Sequence, residues 1–240
     1  MKILALDSSG LVASVAIVED DTLLAEYTVN YKKTHSQTLL PMLDEAAKMI
    51  ELDLQTIDAI AVSGGPGSFT GLRIGSATAK GLGLALDKPL VSVPTVDALA
   101  WNLYGSSCNI CPMMDARRNQ VYTGIYRFEG EEFVTVQEQY PAAIEEITGR
   151  LNELGSPVII LGDGVPVYRR TLEELLTVPY QFAPAHMSRQ RASAVAALAL
   201  RYIQEGRTET AAEHRPDYLR LSQAERERAQ KEMQQTKPEA

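Results

Sequence analysis

Apolar and polar residues are arranged along the first hundred positions in two distinct patterns. Short runs of β-branched and other apolar residues end at polar turns, as in buried strands, whereas longer segments repeat apolar residues every three or four positions, as in amphipathic helices. The patterns predict strands at 2–7, 13–19 and 22–29, a helix at 34–51, a strand at 57–63, a helix at 68–86, a strand at 89–93 and a helix from 95. The predicted order is therefore βββαβαβα.

The second half of the chain repeats much of this order. Its patterns predict strands at 111–115, 120–128 and 133–136, a helix at 142–154, a strand at 158–161 and helices at 166–176 and 189–205. Asp115 ends the first strand of this half, as Asp7 ends the first strand of the chain. Because a repeated order of elements indicates a duplicated unit, we predict a first lobe at 1–105, a shorter second lobe at 106–221 and a polar tail at 222–240.

Composition narrows the classes of function. The 240 residues are 45% hydrophobic and 22% charged, which is typical of a globular protein with a core. The formal net charge is −8, whereas proteins that grip nucleic acids usually carry an excess of basic residues to neutralise phosphates. Two cysteines are too few for a disulfide framework, and the sequence has neither signal-peptide features nor 18 consecutive apolar residues. We expect a cytoplasmic protein without membrane contact.

A glycine-rich segment at Ser63–Gly71 joins a predicted strand to a predicted helix. Backbone N–H groups at the start of a helix attract anions. The segment has no lysine for a P-loop, and Thr70 stands where the dinucleotide-binding motif requires its last glycine. Two interpretations remain at this point, an anion site and a tight turn in which Ser68 or Thr70 caps the helix.

The two helices of the first lobe carry unusual surfaces. Small residues recur every four positions along the second of them, at Gly71, Gly75, Ala79 and Gly83. A glycine inside a helix costs about 1 kcal/mol relative to alanine, so we expect this stripe to let the sheet, another helix or another molecule approach closely. The preceding helix has an apolar face wider than one stripe, which favours deep burial or an interface. Its apolar residues include Leu39, Leu40, Met42, Leu43, Ala46 and Ala47.

Other residue types give weaker signals. His35, His186 and His214 are too far apart to form a helical metal-binding pair. Cys108 and Cys111 lie at the entrance of a predicted strand, where their odd spacing directs them to opposite faces and does not favour a redox or zinc site.

Five segments resemble the TsaB (YeaZ) family, and the resemblance covers nearly the whole chain. The segments are Ile3–Ser9 (ILALDSS), Thr34–Ala46 (THSQTLLPMLDEA), Ser63–Gly75 (SGGPGSFTGLRIG), Met114–Tyr122 (MDARRNQVY) and Pro216–Arg220 (PDYLR). The resemblance implies an α/β protein with the two-lobed actin, Hsp70 and sugar-kinase type of fold, which is ribonuclease H-like, with duplicated βββαβα units and a shortened second lobe. It also implies participation in forming N6-threonylcarbamoyladenosine in tRNA, beside the catalytic paralogue TsaD and the ATPase TsaE.

Departures from TsaD imply a different role for this chain. TsaD-like proteins carry a metal-binding H-x-x-x-H motif where this sequence has Thr95 and Leu99, which cannot replace imidazole ligands. The first phosphate loop of the superfamily usually reads D-x-G-[ST], whereas this chain has Ser9 at the glycine position. The resemblance therefore implies no metal site and no firmly bound cofactor, with ATP and Mg²⁺ expected only within a complex.

The leading hypothesis is a non-catalytic scaffold that docks on TsaD, acts together with TsaE and reaches tRNA indirectly through the complex. The predicted partner interface consists of Leu39, Leu40, Met42, Leu43, Ala46, Ala47, Gly71, Gly75, Ala79 and Gly83. The same surface is expected to form a homodimer when TsaD is absent.

Two further hypotheses concern catalysis. The first is a small ATPase or phosphotransferase, supported by the fold, which alone is a weak argument, and by the carboxylates of Asp7 and Asp115 at strand ends. Its nucleotide or anion site would consist of Asp7, Ser8, Ser9, Gly67, Ser68 and Asp115. The second is a peptidase, for which the sequence without H-x-x-x-H offers no identifiable chemistry. The sequence also leaves open whether Arg117, Arg118, Arg169 and Arg170 form a patch that faces tRNA.

Overall fold

A computed structural model describes residues 1–31 and 34–219. The first half contains β1 (Lys2–Asp7), β2 (Val12–Glu19), β3 (Thr22–Asn30), α1 (His35–Met49), a 3-10 turn (Leu54–Thr56), β4 (Ala59–Gly65), α2 (Phe69–Leu86), β5 (Leu90–Pro94) and α3 (Thr95–Trp101). The second half contains β6 (Asn109–Arg117), β7 (Gln120–Glu129), β8 (Glu132–Ala143), α4 (Ile144–Leu154), β9 (Val158–Leu161), α5 (Gly164–Leu175), β10 (Tyr180–Phe182) and α6 (Ala192–Gln204). The predicted tail at 222–240 lies outside the described residues.

The two halves form two sheets of the same topology. The first sheet has the order β3-β2-β1-β4-β5, and the second has the order β8-β7-β6-β9-β10. In each sheet the first strand pairs antiparallel with the second and parallel with the fourth. The predicted duplication is confirmed, and β10, which the sequence pattern does not predict, gives the second sheet its fifth strand. The parallel strands β9 and β10 have four and three residues, compared with seven and five in β4 and β5.

The apolar pattern of the strands builds three cores. Leu4 and Leu6 of β1 point toward α1 and α2, whereas Ile3 and Ala5 point toward the space between the two sheets. Helices α3 and α6 fill that space, and α4 and α5 cover the outer face of the second sheet. Strand β1 is thus buried on both faces, as expected for a strand at the centre of a sheet covered by helices.

Helix α6 belongs to the second half of the chain but packs on β1 and β2 of the first sheet. At its start, the N–H of Ala192 donates to the Ser14 hydroxyl over 2.9 Å. Glu26, on β3, accepts hydrogen bonds from the Arg191 side chain and from both the N–H and the hydroxyl of Ser193. The Glu26 carboxylate therefore satisfies the N-terminal end of α6 and fixes this helix to the first lobe.

Helix α2 begins inside the glycine-rich segment. Ser68 is its N-cap, and the Ser68 hydroxyl accepts a hydrogen bond from the Gly71 N–H over 3.3 Å. The helix ends at Asp87, which adopts the left-handed conformation. None of the helices at 1–31 and 34–219 is long and apolar enough to cross a membrane.

Candidate functional site

A cleft of about 570 Å³ lies where the two lobes meet. The first lobe contributes the turn after β1 and the start of α2, and the second lobe contributes the end of β6 and the turn after β9. Four residues of the predicted nucleotide or anion site line this cleft, namely Ser9, Gly67, Ser68 and Asp115. Asp7 and Ser8 lie behind the cleft wall and are almost completely buried.

The Asp7 carboxylate is surrounded by hydrogen-bond donors of its own lobe. One oxygen accepts from the N–H and hydroxyl of Ser9 over 2.9 and 2.7 Å, and the other accepts from the Ser63 hydroxyl over 2.5 Å. Burial raises the pKa of Asp7, and the hydrogen bonds from Ser63 and Ser9 oppose that rise. Both oxygens are engaged in holding the turn after β1 against β4.

Gly67, just before α2, and Gly71 and Gly75, within it, allow this turn to lie directly against the start of the helix. A Cβ atom at Gly67 or Gly71 would overlap the carbonyl oxygen of Ser9 or Ser8, and one at Gly75 would lie 2.5 Å from the Ser8 hydroxyl oxygen. The Ser8 hydroxyl donates to the Gly71 carbonyl over 2.9 Å. The predicted close approach is therefore present, and it occurs within the chain.

Asp115 occupies the corresponding position in the second lobe with a different set of contacts. One of its oxygens accepts from the Arg117 N–H over 2.8 Å and from the Tyr168 hydroxyl over 3.2 Å, while its own N–H donates to Asp163 over 3.1 Å. Burial raises the pKa of Asp163, and burial together with the Asp115 charge raises that of Tyr168. Asp115 is half-exposed, and it organises the turn between β6 and β7.

These contacts test whether the cleft fits a tightly held Mg²⁺-nucleotide. The Asp7 carboxylate is fully engaged, and the carbonyl oxygens of Ser8 and Ser9 lie against α2 in the space that its glycines leave. No group of three or more potential metal ligands occurs among residues 1–31 and 34–219. Both carboxylates at the strand ends, Asp7 and Asp115, are thus engaged by groups of their own lobe.

The segment that follows α6 returns to the first lobe and covers the glycine-rich turn. Glu209 pairs with Leu90 of β5, the N–H of Asp217 donates to the Gly64 carbonyl over 2.7 Å, and the Tyr218 ring packs 4.7 Å from that of Phe69. Residues 217 and 218, which belong to one segment of the family resemblance, thus contact the segment at 63–75. The sequence did not predict this contact, because the 206–219 segment has no periodic pattern, although its match to the family was a usable signal.

A second cavity, of about 480 Å³, lies near the start of α3. Asp97 on its wall accepts hydrogen bonds from the hydroxyls of Tyr126, over 2.6 Å, and Tyr202, over 3.3 Å. Burial raises the pKa of Asp97. Thr95 and Leu99, at the start and middle of α3, are both buried. This hydrogen-bonded cluster was also missed from the sequence.

The structure changes the predicted partner interface. Eight of its ten residues are buried within the chain, in contact with the first sheet or the turn after β1, and Leu40 and Ala47 are the members with substantial exposure. The buried residues are Leu39, Met42, Leu43, Ala46, Gly71, Gly75, Ala79 and Gly83. The small-residue stripe therefore packs within the chain, and Leu40 and Ala47 are the members of the predicted interface that a partner can reach.

The outer side of the same two helices has the composition expected of a contact surface. Leu40 is 52% exposed, Met49 78% and Leu84 70%. Ala77 and Gly81, on α2, are also exposed, and a Cβ at Gly81 would meet nothing within 4 Å. We call the surface formed by Leu40, Ala47, Ala77, Gly81 and Leu84 the outer α1–α2 face.

The remaining candidate residues lie apart from one another. Cys108 is half-buried, whereas Cys111 is buried beside the Thr123 hydroxyl, and burial raises the pKa of its thiol to about 12. His35 contacts the Gly10 carbonyl over 2.8 Å and His214 contacts Glu209 over 2.8 Å. Among the described residues, no histidine forms a hydrogen bond with a serine or threonine hydroxyl.

The duplicated βββαβαβα order, with two helices between the sheets and a cleft where the lobes meet, defines a protein of the actin, Hsp70 and sugar-kinase type. Component A of the (R)-2-hydroxyglutaryl-CoA dehydratase of Acidaminococcus fermentans shares this fold, with a TM-score of 0.51 at 10% identity over 85% of this chain and 99% of that chain. The family model of TsaD, tRNA N6-adenosine threonylcarbamoyltransferase, matches residues 22–228.

Relatives of higher sequence identity show which family within this fold contains the chain. The tRNA threonylcarbamoyladenosine biosynthesis protein TsaB of Bacillus subtilis is 33% identical over 228 residues, which span 94% of this chain and 96% of that protein. TsaB of Escherichia coli is 32% identical over 68% of this chain and 72% of its own length. YeaZ from Pseudomonas aeruginosa has a TM-score of 0.75 and 26% identity over 90% of this chain and 99% of that chain. The chain belongs to the TsaB (YeaZ) family.

Proposed function

We propose that this protein is a non-catalytic subunit required for N6-threonylcarbamoyladenosine formation in tRNA, and that it acts by docking its outer α1–α2 face on TsaD. The observation that carries the proposal is the exposure of apolar side chains on both helices of this face, Leu40 of α1 and Leu84 of α2. Isolated exposed apolar residues are normal, but several on adjoining helices are typical of an interaction surface.

Homology indicates the occupant of this surface. Because the TsaD family model matches 207 consecutive positions of this chain, from residue 22 to 228, TsaD is expected to carry an equivalent helix pair. Two related faces can pair about a pseudo-two-fold axis, as two identical faces do in a homodimer. The open space over Gly81 would let the partner helix approach closely. We therefore also propose a homodimer through this face when TsaD is absent.

The state of the cleft supports an accessory role. Asp7 is engaged by Ser9 and Ser63, and the positions of the metal-binding histidines of TsaD are filled by Thr95 and Leu99. We propose that the isolated chain does not bind a nucleotide firmly. ATP and Mg²⁺ bind only when TsaD and TsaE are present, and the complex works in the cytoplasm. Calorimetry with Mg²⁺-ATP on the isolated chain tests this part, since saturable heat with turnover would instead support the alternative ATPase or phosphotransferase.

The docking proposal is tested by gel filtration of the chain mixed with TsaD. Leu84→Arg places a charge on the outer α1–α2 face without touching the core, and it is expected to abolish co-elution and the homodimer. Val167→Arg is the matched control, because Val167 is 58% exposed on α5, the equivalent helix of the second lobe. Co-elution of TsaD with Leu84→Arg at wild-type strength would refute this interface.

A reconstituted reaction tests the accessory role itself. TsaD, TsaE, tRNA and threonylcarbamoyl-adenylate are combined with or without the chain, and the modified nucleoside is measured. We expect product with the wild-type chain and with Val167→Arg, and background product without the chain or with Leu84→Arg. Product formed by the chain alone, in the absence of TsaD, would show that it is itself the transferase.

A further inference from the structure

Arg117 and Arg118 differ from the other arginines that the structure describes. Ten of the twelve arginines at 1–31 and 34–219 place their guanidinium groups against a carboxylate, a carbonyl, a hydroxyl or an aromatic ring. Arg117 and Arg118 are exposed and have no such partner within the described residues. Arg169 and Arg170, which the sequence analysis grouped with them, form ion pairs with Glu173 and Glu174 on the next turn of α5.

The turn that carries the two arginines is held in an unusual conformation. Arg117, Arg118 and Asn119 have φ angles of 62°, 57° and 58°, a region that residues other than glycine rarely adopt. Asp115 holds this turn through the Arg117 N–H and the Tyr168 hydroxyl. The Asp115 carboxylate is thus engaged with backbone and hydroxyl donors and forms no ion pair with the Arg117 guanidinium. Strained turns of this kind persist where the surroundings fix them, and they are concentrated at sites that clamp ligands.

The position of the turn determines what it can reach. Arg117 lines the rim of the cleft between the lobes, while Arg118 is not part of the cleft lining. Three carboxylates, those of Asp115, Asp163 and Asp217, also line the cleft, so an anion deep inside it would be repelled. The two guanidinium groups therefore present positive charge along the surface at the lobe junction, where successive anionic groups of an extended ligand can be met.

We propose that Arg117 and Arg118 bind the phosphodiester backbone of RNA, as a direct contact between this chain and the tRNA that is modified. The identity of the RNA as the modified tRNA rests on the proposed function. The phosphate contact itself is inferred from the two exposed arginines on the turn between β6 and β7. Guanidinium groups are well suited to phosphate recognition because they offer paired donors in a planar arrangement. Since the whole chain carries a net charge of −8, we expect weak binding by the chain alone and stronger binding once TsaD contributes its own surface.

Fluorescence anisotropy of labelled, unmodified tRNA tests the proposal, with the chain alone and with the TsaD mixture, between 50 and 200 mM KCl. Each lost phosphate contact lowers the slope of log affinity against log salt by about 0.7–0.9. The double variant Arg117→Ala/Arg118→Ala is therefore expected to lower the slope by about 1.4–1.8. The ratio of wild-type affinity to variant affinity for tRNA is therefore expected to be about 7- to 12-fold larger at 50 mM KCl than at 200 mM KCl.

Arg169→Ala/Arg170→Ala is the matched control, because it removes the same formal charge from arginines that are already paired. It is expected to leave the salt slope unchanged. The proposal is overturned if both double variants reduce the slope equally, or if neither does, or if no tRNA binding is detected with or without TsaD. Gel filtration of each variant with TsaD shows whether a change in tRNA binding comes from lost docking. Loss of docking is expected for Leu84→Arg and not for either arginine pair.

Discussion

Replacing Gly75 with alanine is expected to destabilise the protein, although alanine is the better helix former. Gly75 lies inside α2 and faces the turn after β1, and a new Cβ would lie 2.5 Å from the Ser8 hydroxyl oxygen. That hydroxyl is buried and donates to the Gly71 carbonyl over 2.9 Å. To make room, the Ser8 side chain must rotate away and give up this hydrogen bond, or the turn must move.

The change in the free energy of unfolding caused by Gly75→Ala follows from three contributions. Alanine in place of glycine in a helix stabilises by about 1 kcal/mol, overpacking costs about 1–3 kcal/mol, and loss of a neutral hydrogen bond costs about 0.5–1.5 kcal/mol. The net expected loss is about 0.5–3.5 kcal/mol. At about 2–4 °C for each kcal/mol in a chain of this size, the melting temperature should fall by about 1–14 °C.

Gly81→Ala in the same helix is the control, because a Cβ there meets nothing within 4 Å. It should raise the melting temperature by about 2–4 °C. Thermal denaturation followed by circular dichroism measures both variants, and Ser8→Ala completes a double-mutant cycle with Gly75→Ala. The double variant should lose less stability than the two single variants together, since removal of the hydroxyl makes room for the new methyl group. Equal stability of Gly75→Ala and Gly81→Ala, or strict additivity in the cycle, would refute this account of the stripe.

Three further predictions concern carboxylates that accept hydrogen bonds within the protein. The raised pKa of Asp7 means that the folded protein holds this proton more tightly than the unfolded chain does, so its contribution to stability is lost as pH rises from about 4 through the folded-state pKa. Asp7→Asn should therefore gain stability relative to the wild type as pH increases in urea titrations; a constant difference would contradict this. Tyr126→Phe should cost about 1.5–3 kcal/mol, because it removes the 2.6 Å donor to the partly buried Asp97. Tyr202→Phe, whose bond to Asp97 is 3.3 Å, should cost less, and the reverse order in urea unfolding would be inconsistent with this network. Glu26→Ala should cost about 1–3 kcal/mol by removing the acceptor at the start of α6, and an unchanged unfolding midpoint would count against that role.

Much of the fold follows from local patterns in the sequence. Buried runs such as 2–7 and the helical spacing of 68–86 are strong signals, and the repeated order of elements indicates the duplication. The three-residue strand β10 is too short for periodicity to detect. Strand β8 extends to Ala143, well beyond the predicted 136, because its later residues are held by pairing with β7 and not by an alternating apolar pattern.

The site was less accessible to sequence reasoning because its geometry depends on distant residues. The position of Asp7 at a strand end was predictable, but its engagement by Ser63 joins residues 56 positions apart. Helical spacing identifies Gly71, Gly75 and Gly83 as one stripe, yet it does not say which neighbour the stripe meets. The wide apolar surface of α1 combines a buried side, which includes Leu39, with an exposed side, which includes Leu40, and only the packing separates the two.

The crossing of α6 onto the first sheet has a consequence for the order of synthesis. The inner face of that sheet, which includes Ile3, Ala5, Ala16 and Val18, is covered by a helix formed from residues 192–204. While the ribosome is still making the second half, this apolar face has no cover. The first lobe is therefore expected to reach its final packing only after nearly the whole chain has emerged, so a nascent chain stalled before α6 should bind chaperones and be readily cleaved by proteases.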